Sequence, residues 1–267
     1  MRRFDADYLR RTREGLWTDR EALAPLSLSD RERVLDAGCG TGELTRVLDD
    51  ETPPAALVVG LDADPDLLRV AADETDCPLV AGDATRLPLA DDAVDLAVCQ
   101  ALLVNLPDPA AAVREFVRVS TDLVAAVEPD NAAVEVESTV PGEAAVERRA
   151  REAYLEGVAT DVAPGERVTD LFRDAGLTDV RTRRHRHEKR IEPPYDEADV
   201  ADVARRASGA GLADHAPELR RALDDAAYDA LRADWRSVGR DAAEGMEAGE
   251  YRRVEVVPFD VTVGRVP

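Results

Sequence analysis

The 267 residues suffice for one α/β domain of ordinary size with something added, and 45% hydrophobic but only 4% aromatic residues imply a core built mostly of Val, Leu and Ala. Thirty-four basic against 56 acidic residues leave a net charge of −22, which argues against a nucleic-acid partner, whose binding needs a basic footprint. Cys39, Cys77 and Cys99 form no Cys-x-x-Cys pair, so neither a disulfide scaffold nor a zinc site is suggested and no metal is expected.

Residues 1–28 carry apolar positions at Phe4, Tyr8, Leu9, Leu16, Trp17, Leu23, Leu26 and Leu28, predicting one or two amphipathic helices that end near Pro25. A strand over Arg33–Ala37 then runs into Asp36-Ala37-Gly38-Cys39-Gly40-Thr41-Gly42, and a helix opens at Glu43 and stops before Pro53-Pro54. Glycines at 38, 40 and 42 let a turn reverse and let a flat polar molecule press against the backbone. A dinucleotide fingerprint would place its third glycine at position 43, where this chain has a glutamate that would repel a pyrophosphate. Asp62 closes the apolar run Leu57–Leu61 twenty residues beyond Gly42, where an acidic residue accepts hydrogen bonds from both ribose hydroxyls. The pattern predicts a nucleoside ligand without phosphate.

Asp64-Pro65 caps a second helix, about 65–75, with Leu67, Leu68 and Ala71 turned inward. A third strand, Cys77–Ala81, ends at Gly82-Asp83-Ala84; the continuous apolar run Val94–Cys99 is a fourth, buried on both faces as in a parallel sheet. Strand ends of such sheets face the ligand crevice, so Gln100, Ala101, Leu102 and Asn105 border the site. Asp108-Pro109 starts a helix to about Val119, and Leu123–Val127 is the fifth strand. Glu128-Pro129-Asp130-Asn131 follows, where a carboxylate orients a substrate, accepts a proton or merely makes a turn. Residues 142–158 and 166–175 read as helices, with Gly176 after the second. Val180–Ile191 is a strand with His185 and His187 on one face, a polar face rather than a metal half-site. After Pro193-Pro194-Tyr195 a helical insertion, about 196–248, shows a stripe of Leu219, Leu223, Ala226, Ala227, Ala230 and Leu231 beside Tyr228 and Trp235. Val254–Gly264 returns to strand, bent at Pro258.

From Asp36 to Gly42, with Asp62 and Gly82-Asp83-Ala84 in order behind it, the sequence resembles the class I methyltransferases that use S-adenosylmethionine (SAM), over roughly residues 30–190 and the end of the chain. The resemblance implies an α/β fold: a seven-stranded, mostly parallel Rossmann-like sheet of order 3-2-1-4-5-7-6, its last strand antiparallel, with helices on both faces and a helical cap. It divides the chain into a helical lid (1–28), a SAM-binding domain (29–191 plus 252–267) and a cap (192–251). It implies SAM as cofactor, S-adenosylhomocysteine as product, and a cofactor site of Asp36, Gly38, Cys39, Gly40, Gly42, Asp62, Ala63, Asp83, Ala84, Gln100 and Ala101. In it Asp83 reaches the exocyclic amine of adenine with the backbone of its neighbour close by. Tyr8, Arg13 and Trp17 are candidates to meet the methionine carboxylate. Relatives acting on nucleobases or protein glutamine carry Asn/Asp-Pro-Pro-Tyr/Phe where this chain has Gln100-Ala101-Leu102-Leu103, which disfavours those substrates.

The implied activity is in-line transfer of a methyl group to a small molecule beneath the two caps. A sulfonium methyl is already activated, so the family needs no fixed catalytic residue, and His215, Glu128 and the His185/His187 pair are only candidate bases. A non-catalytic SAM-binding regulator or partner protein and a tRNA or rRNA methyltransferase are the alternatives; a dinucleotide oxidoreductase is disfavoured by Glu43. Lys189 is the only lysine, and arginine-rich acidity of this kind resembles proteins of a salt-rich cytoplasm. Molar salt screens charge beyond about 3 Å, which weakens the charge argument against nucleic acid without reversing it. No apolar run resembles a signal peptide or reaches about 18 residues, so a cytoplasmic protein is expected, either monomer or homodimer.

Overall fold

The apolar runs and capped helices of the first half become a regular alternation in the computed structural model, which describes residues 6–13 and 15–267. α1 (Ala6–Arg13) is followed by β1 (Arg33–Ala37), α2 (Glu43–Glu51), β2 (Leu57–Asp62), α3 (Pro65–Glu74), β3 (Leu79–Ala81), β4 (Val94–Gln100), α4 (Pro109–Val119) and β5 (Ser120–Pro129). Asp64 and Asp108 accept N–H bonds from the first turns of α3 and α4, each with proline at the helix start. Residues Arg20–Leu26 form a 3-10 turn rather than a second α-helix, with Pro25 inside it; proline has no N–H to continue an α-helical ladder. Phe4, expected on the first amphipathic face, lies outside the described residues, as does the side chain of Tyr8.

The second half adds β6 (Glu135–Ser138), α5 (Glu143–Gly157), α6 (Arg167–Asp174), β7 (Thr178–Ile191), α7 (Glu197–Ser208), α8 (Ala210–Ala213), α9 (Ala216–Ala222), α10 (Asp225–Glu247) and β8 (Arg253–Arg265). β1 through β5 pair in parallel, and β8 joins β5 antiparallel from Leu123↔Arg265 to Pro129↔Phe259. The hydrogen-bonded order is β3-β2-β1-β4-β5-β8-β6, with β7 also on β8. This is the expected order with its reversed last strand, but with eight strands instead of seven. The additional one is β6, four residues that pair with Arg253–Val256. Too short to show a periodic pattern, β6 is a strand by virtue of its partner. Pairing of β8 passes from β6 at Val256 to β5 at Phe259, and Pro258, which has no N–H for a ladder, occupies the gap.

The described chain falls into two compact units. The first comprises the described residues up to Pro129, Pro164–His185 and Phe259–Pro267. Its core includes Leu35, Ala97, Val113, Phe116, Val124 and Phe172, poor in aromatics as composition required. The second comprises Asp130–Ala163 and Arg186–Pro258. Within it Val146, Ala150, Leu212, Leu219, Tyr228 and Leu231 pack together, with Leu223, Trp235 and Val238 against them. Ala226, Ala227 and Ala230 of the expected stripe are exposed instead. Asp224 caps α10 and restarts the helix after Leu223, so one stripe cannot run through both segments.

The second unit also buries ions. Glu143 accepts from Tyr251 (3.0 Å to Oε1), Ser138 and Arg206 (3.4 Å), and Glu147 accepts from Arg206 and from Arg253 (3.0 Å). Burial pushes the Glu147 carboxyl up, but Arg206 and Arg253 outweigh it and hold the pKa down, at about 2. Removing one partner strands the rest in a dry environment. Arg253→Leu is therefore expected to cost about 3–5 kcal/mol of unfolding free energy, measured by urea titration, whereas Arg252→Leu, at an exposed pair with Glu192, should cost less than about 1 kcal/mol.

Candidate functional site

The loop between β1 and α2 carries the site, and its own hydrogen bonds decide what it can bind. Gly38 and Cys39 both donate their N–H groups to the carbonyl of Leu61, at 2.6 and 2.9 Å, and Gly42 donates to Cys39 at 2.9 Å. Gly40 donates to Oδ2 of Asp62 at 2.9 Å, and Asp64 N–H donates to Oδ1 at 2.8 Å. These amides are spent on the fold, so the loop is not a nest of outward N–H groups for phosphate. Asp62 is 8% exposed and each oxygen holds one N–H, leaving the remaining lone pairs for a ligand's hydroxyls.

Two glycines hold positive φ, which side chains rarely adopt, and each has a neighbouring side chain in the space a Cβ would take. Gly38, at φ +76, would place a Cβ 2.8 Å from a methyl of Leu102. Gly40, at φ +58, would place one 3.1 Å from the Arg13 guanidinium and 3.2 Å from Leu9. α1 thus lies directly over the loop, and Arg13 meets Glu43 at 3.4 Å across it. Behind the loop Thr45 of α2 donates to Asp36 at 2.6 Å. Burial pushes the Asp36 carboxyl up to about 7 despite that bond.

A cavity of about 550 Å³ opens on this surface. Of the residues expected to hold the cofactor, Arg13, Gly38, Gly40, Asp62, Ala63 and Ala101 line it. Asp36, Cys39, Gly42 and Gln100 do not line its wall; Asp36 and Cys39 are buried behind the loop, and Gly42 caps α2 in the left-handed conformation. Gln100, 2% exposed at the end of β4, has an amide with no partner among the described residues. Asp83 is exposed and accepts from the N–H and hydroxyl of Thr85, each at 2.8 Å, while Ala84 packs in the core; neither reaches the cavity wall. Trp17 is buried and outside the wall.

Leu9, Asp64, Pro65, Asp66, Leu67, Arg69, Leu102 and Asn105 complete the lining. The first turn of α3 had a signal in the sequence: an Asp-Pro cap two residues after Asp62 brings that turn to the Asp62 carboxylate. Leu9 had none beyond its apolar face. None of the candidate bases is among the residues that line the cavity. His215 stands at the N-terminus of α9 without a side-chain capping bond, its ring 5.0 Å from that of Tyr154; His185 is 4.0 Å from Asp19. Among the described residues no cluster of His, Cys, Asp and Glu could hold a metal ion.

Five parallel strands, a reversed β8 beside β5, and a glycine loop closed by the aspartate of β2 make a Rossmann-like α/β fold. Residues 35–122, a third of the chain, match the family described as Methyltransferase domain. A demethylmenaquinone methyltransferase of Lactiplantibacillus plantarum is 35% identical over 107 residues, 38% of this chain and 45% of that protein. Its counterpart in Corynebacterium kroppenstedtii is 42% identical over 88 residues, 33% and 37% of the two chains. The chain thus spans less than half the length of these curated relatives. Among solved structures, a candidate methyltransferase of Bacillus halodurans superposes with TM-score 0.55 at 15% identity, over 94% of this chain and 99% of that one. The [4+2]-cyclase SpnF superposes with TM-score 0.50 at 17% identity, over 94% and 82%. Both likenesses show the fold alone.

Asp36 and Glu128 are both pushed up to about 7 by burial. Between about pH 4 and pH 7 the folded chain therefore holds protons that the unfolded chain has released. Their contribution to stability is greatest below the unfolded value and is lost as pH rises through 7. Carboxyls held low, such as Glu147, are ionised in both states above about pH 5. Unfolding free energy is expected to fall from pH 5 to 7.5 by on the order of 2 kcal/mol per group. Asp36→Asn should flatten that slope in denaturant titrations across this range.

Proposed function

We propose that the cavity binds SAM and that the protein transfers its methyl group to a small-molecule acceptor. The observation that carries this is Asp62: a carboxylate fixed by Gly40 and Asp64 with lone pairs to spare, beside a loop whose amides are used internally. A ribose diol suits it and a pyrophosphate does not. The glycine cradle, which a Cβ on Gly40 would fill, fits a flat nucleoside laid against the backbone. Arg13, on the cavity wall and only loosely paired with Glu43, suits the carboxylate of the methionine moiety.

SAM supplies a methyl group already activated on sulfonium, displaced in line by the acceptor. What remains for the chain is to orient the partners and exclude water. α1 over the glycine loop serves exclusion. The relatives named demethylmenaquinone methyltransferase support a small organic acceptor. Four of the five arginines of β7 are already paired, Arg183, Arg184, Arg186 and Arg190 with Glu21, Asp260, Glu135 and Glu188, which weakens that strand's support for an RNA substrate. Among the described residues no helix is long and apolar enough to cross a membrane.

Calorimetric titration in high salt tests the reading. SAM and S-adenosylhomocysteine should bind and NAD⁺ should give no heat. Asp62→Ala, which removes a charged acceptor, should lose about 1.5–3 kcal/mol of binding free energy. Heat from NAD⁺ alone, or none from any ligand with the circular dichroism intact, would contradict it.

A further inference from the structure

Glu128 is the last ionisable residue of β5, 1% exposed, and its carboxylate faces no cation in its own hydrogen-bond set. It faces backbone instead. Oε1 accepts the N–H groups of Leu102 and Leu103 at 3.1 and 2.9 Å, and Oε2 accepts that of Val104 at 3.2 Å. The thiol of Cys99 lies 3.7 Å from Oε1. Consecutive amides converging on one carboxylate form an anion nest made by the chain for itself.

The clasped segment is the turn after β4. Ala101 adopts φ +49, a conformation a non-glycine residue holds only when its surroundings enforce it. Its N–H is bound to Val127 at 2.9 Å and its carbonyl to the Asn105 side chain at 2.7 Å. Ala101, Leu102 and Asn105 wall the cavity, and Leu102 occupies the space in which Gly38 has no Cβ. A leucine at 128 would fill the core without the desolvation that a carboxylate suffers there. It would also leave three buried N–H groups without partners.

We propose that Glu128 is a positioning residue for the cofactor: its carboxylate clasps the Ala101–Asn105 turn and fixes the wall that turn presents to the cavity. The inference rests on reading that cavity as the SAM site. Glu128 neither touches the ligand nor takes a proton from the acceptor.

The test compares S-adenosylhomocysteine affinity with thermal stability in Glu128→Gln, Glu128→Ala and a control, Glu115→Gln. Glu115 binds the N–H of Leu87 and the side chain of Arg118, away from the cavity. All binding is measured well below each melting temperature. Glu128→Ala should bind at least about tenfold more weakly, equivalent to one charge-assisted hydrogen bond. Glu128→Gln should fall between it and the native chain, since an amide oxygen still accepts two of the three N–H bonds. Amide exchange in both should accelerate at Leu102, Leu103 and Val104. Glu115→Gln should melt lower with unchanged affinity. If the Ala variant does not fold, the Gln variant decides by the same criteria. Affinity within about twofold of native in a folded Glu128 variant, whatever its melting temperature, would reduce Glu128 to a stability role and overturn the proposal. Failure of the native chain to bind would overturn the cofactor reading itself, and is distinguished because it needs no variant.

Discussion

The carboxylate of Asp62 joins two turns that are far apart in sequence. One oxygen fixes Gly40 in the loop after β1, the other fixes Asp64 at the start of α3, and the backbone of β2 just before it receives Gly38 and Cys39. Two β–α turns thus become one surface. Among the described residues the hydrogen bonds of Asp62 come from two backbone N–H groups, one on each oxygen, so the carboxylate can sit 8% exposed at the rim of a cavity and still offer acceptor capacity. With these bonds gone the glycine loop would have spare amides and no fixed shape, and the distinction between a ribose and a phosphate ligand would disappear with them.

The same economy recurs one strand over. β4 ends in a turn whose amides are spent on Glu128, as the β1 turn spends its amides on Leu61 and Asp62. Both turns meet where Leu102 packs against Gly38. Polar backbone at the ends of parallel strands must be satisfied somehow. Here it is satisfied by the Leu61 carbonyl and by acidic side chains from neighbouring strands, so the cavity wall offers a ligand side chains rather than free backbone amides. The second unit uses acids differently, pairing Glu143 and Glu147 with buried arginines and Tyr251.

What was legible in the sequence was local. Gly38, Gly40 and Gly42, Asp62, and the Asp-Pro caps of α3 and α4 are read from spacing because their partners lie within one β–α–β unit. The sheet order, reversed β8 included, came through the resemblance those residues carry. Contacts across long separations left no local trace. Nothing in Ala6–Arg13 says that Arg13 and Leu9 lie on Gly40, and Glu128 reads as a turn residue until β4 is placed beside it. β6 is too short for a period to show. Leu219, Leu223 and Leu231 of the expected stripe do pack inward, but after the Asp224 cap Tyr228 joins Leu231 in the core and Ala226, Ala227 and Ala230 are exposed.

The central claim is that this glycine loop, its amides already committed, holds a nucleoside through Asp62. A crystal structure with S-adenosylhomocysteine bound tests it most directly. The expected result has both ribose hydroxyls on the Asp62 carboxylate, with the Gly38 and Cys39 N–H groups still on Leu61. A ligand seated elsewhere with Asp62 untouched, or loop amides turned outward onto an anion, would contradict it.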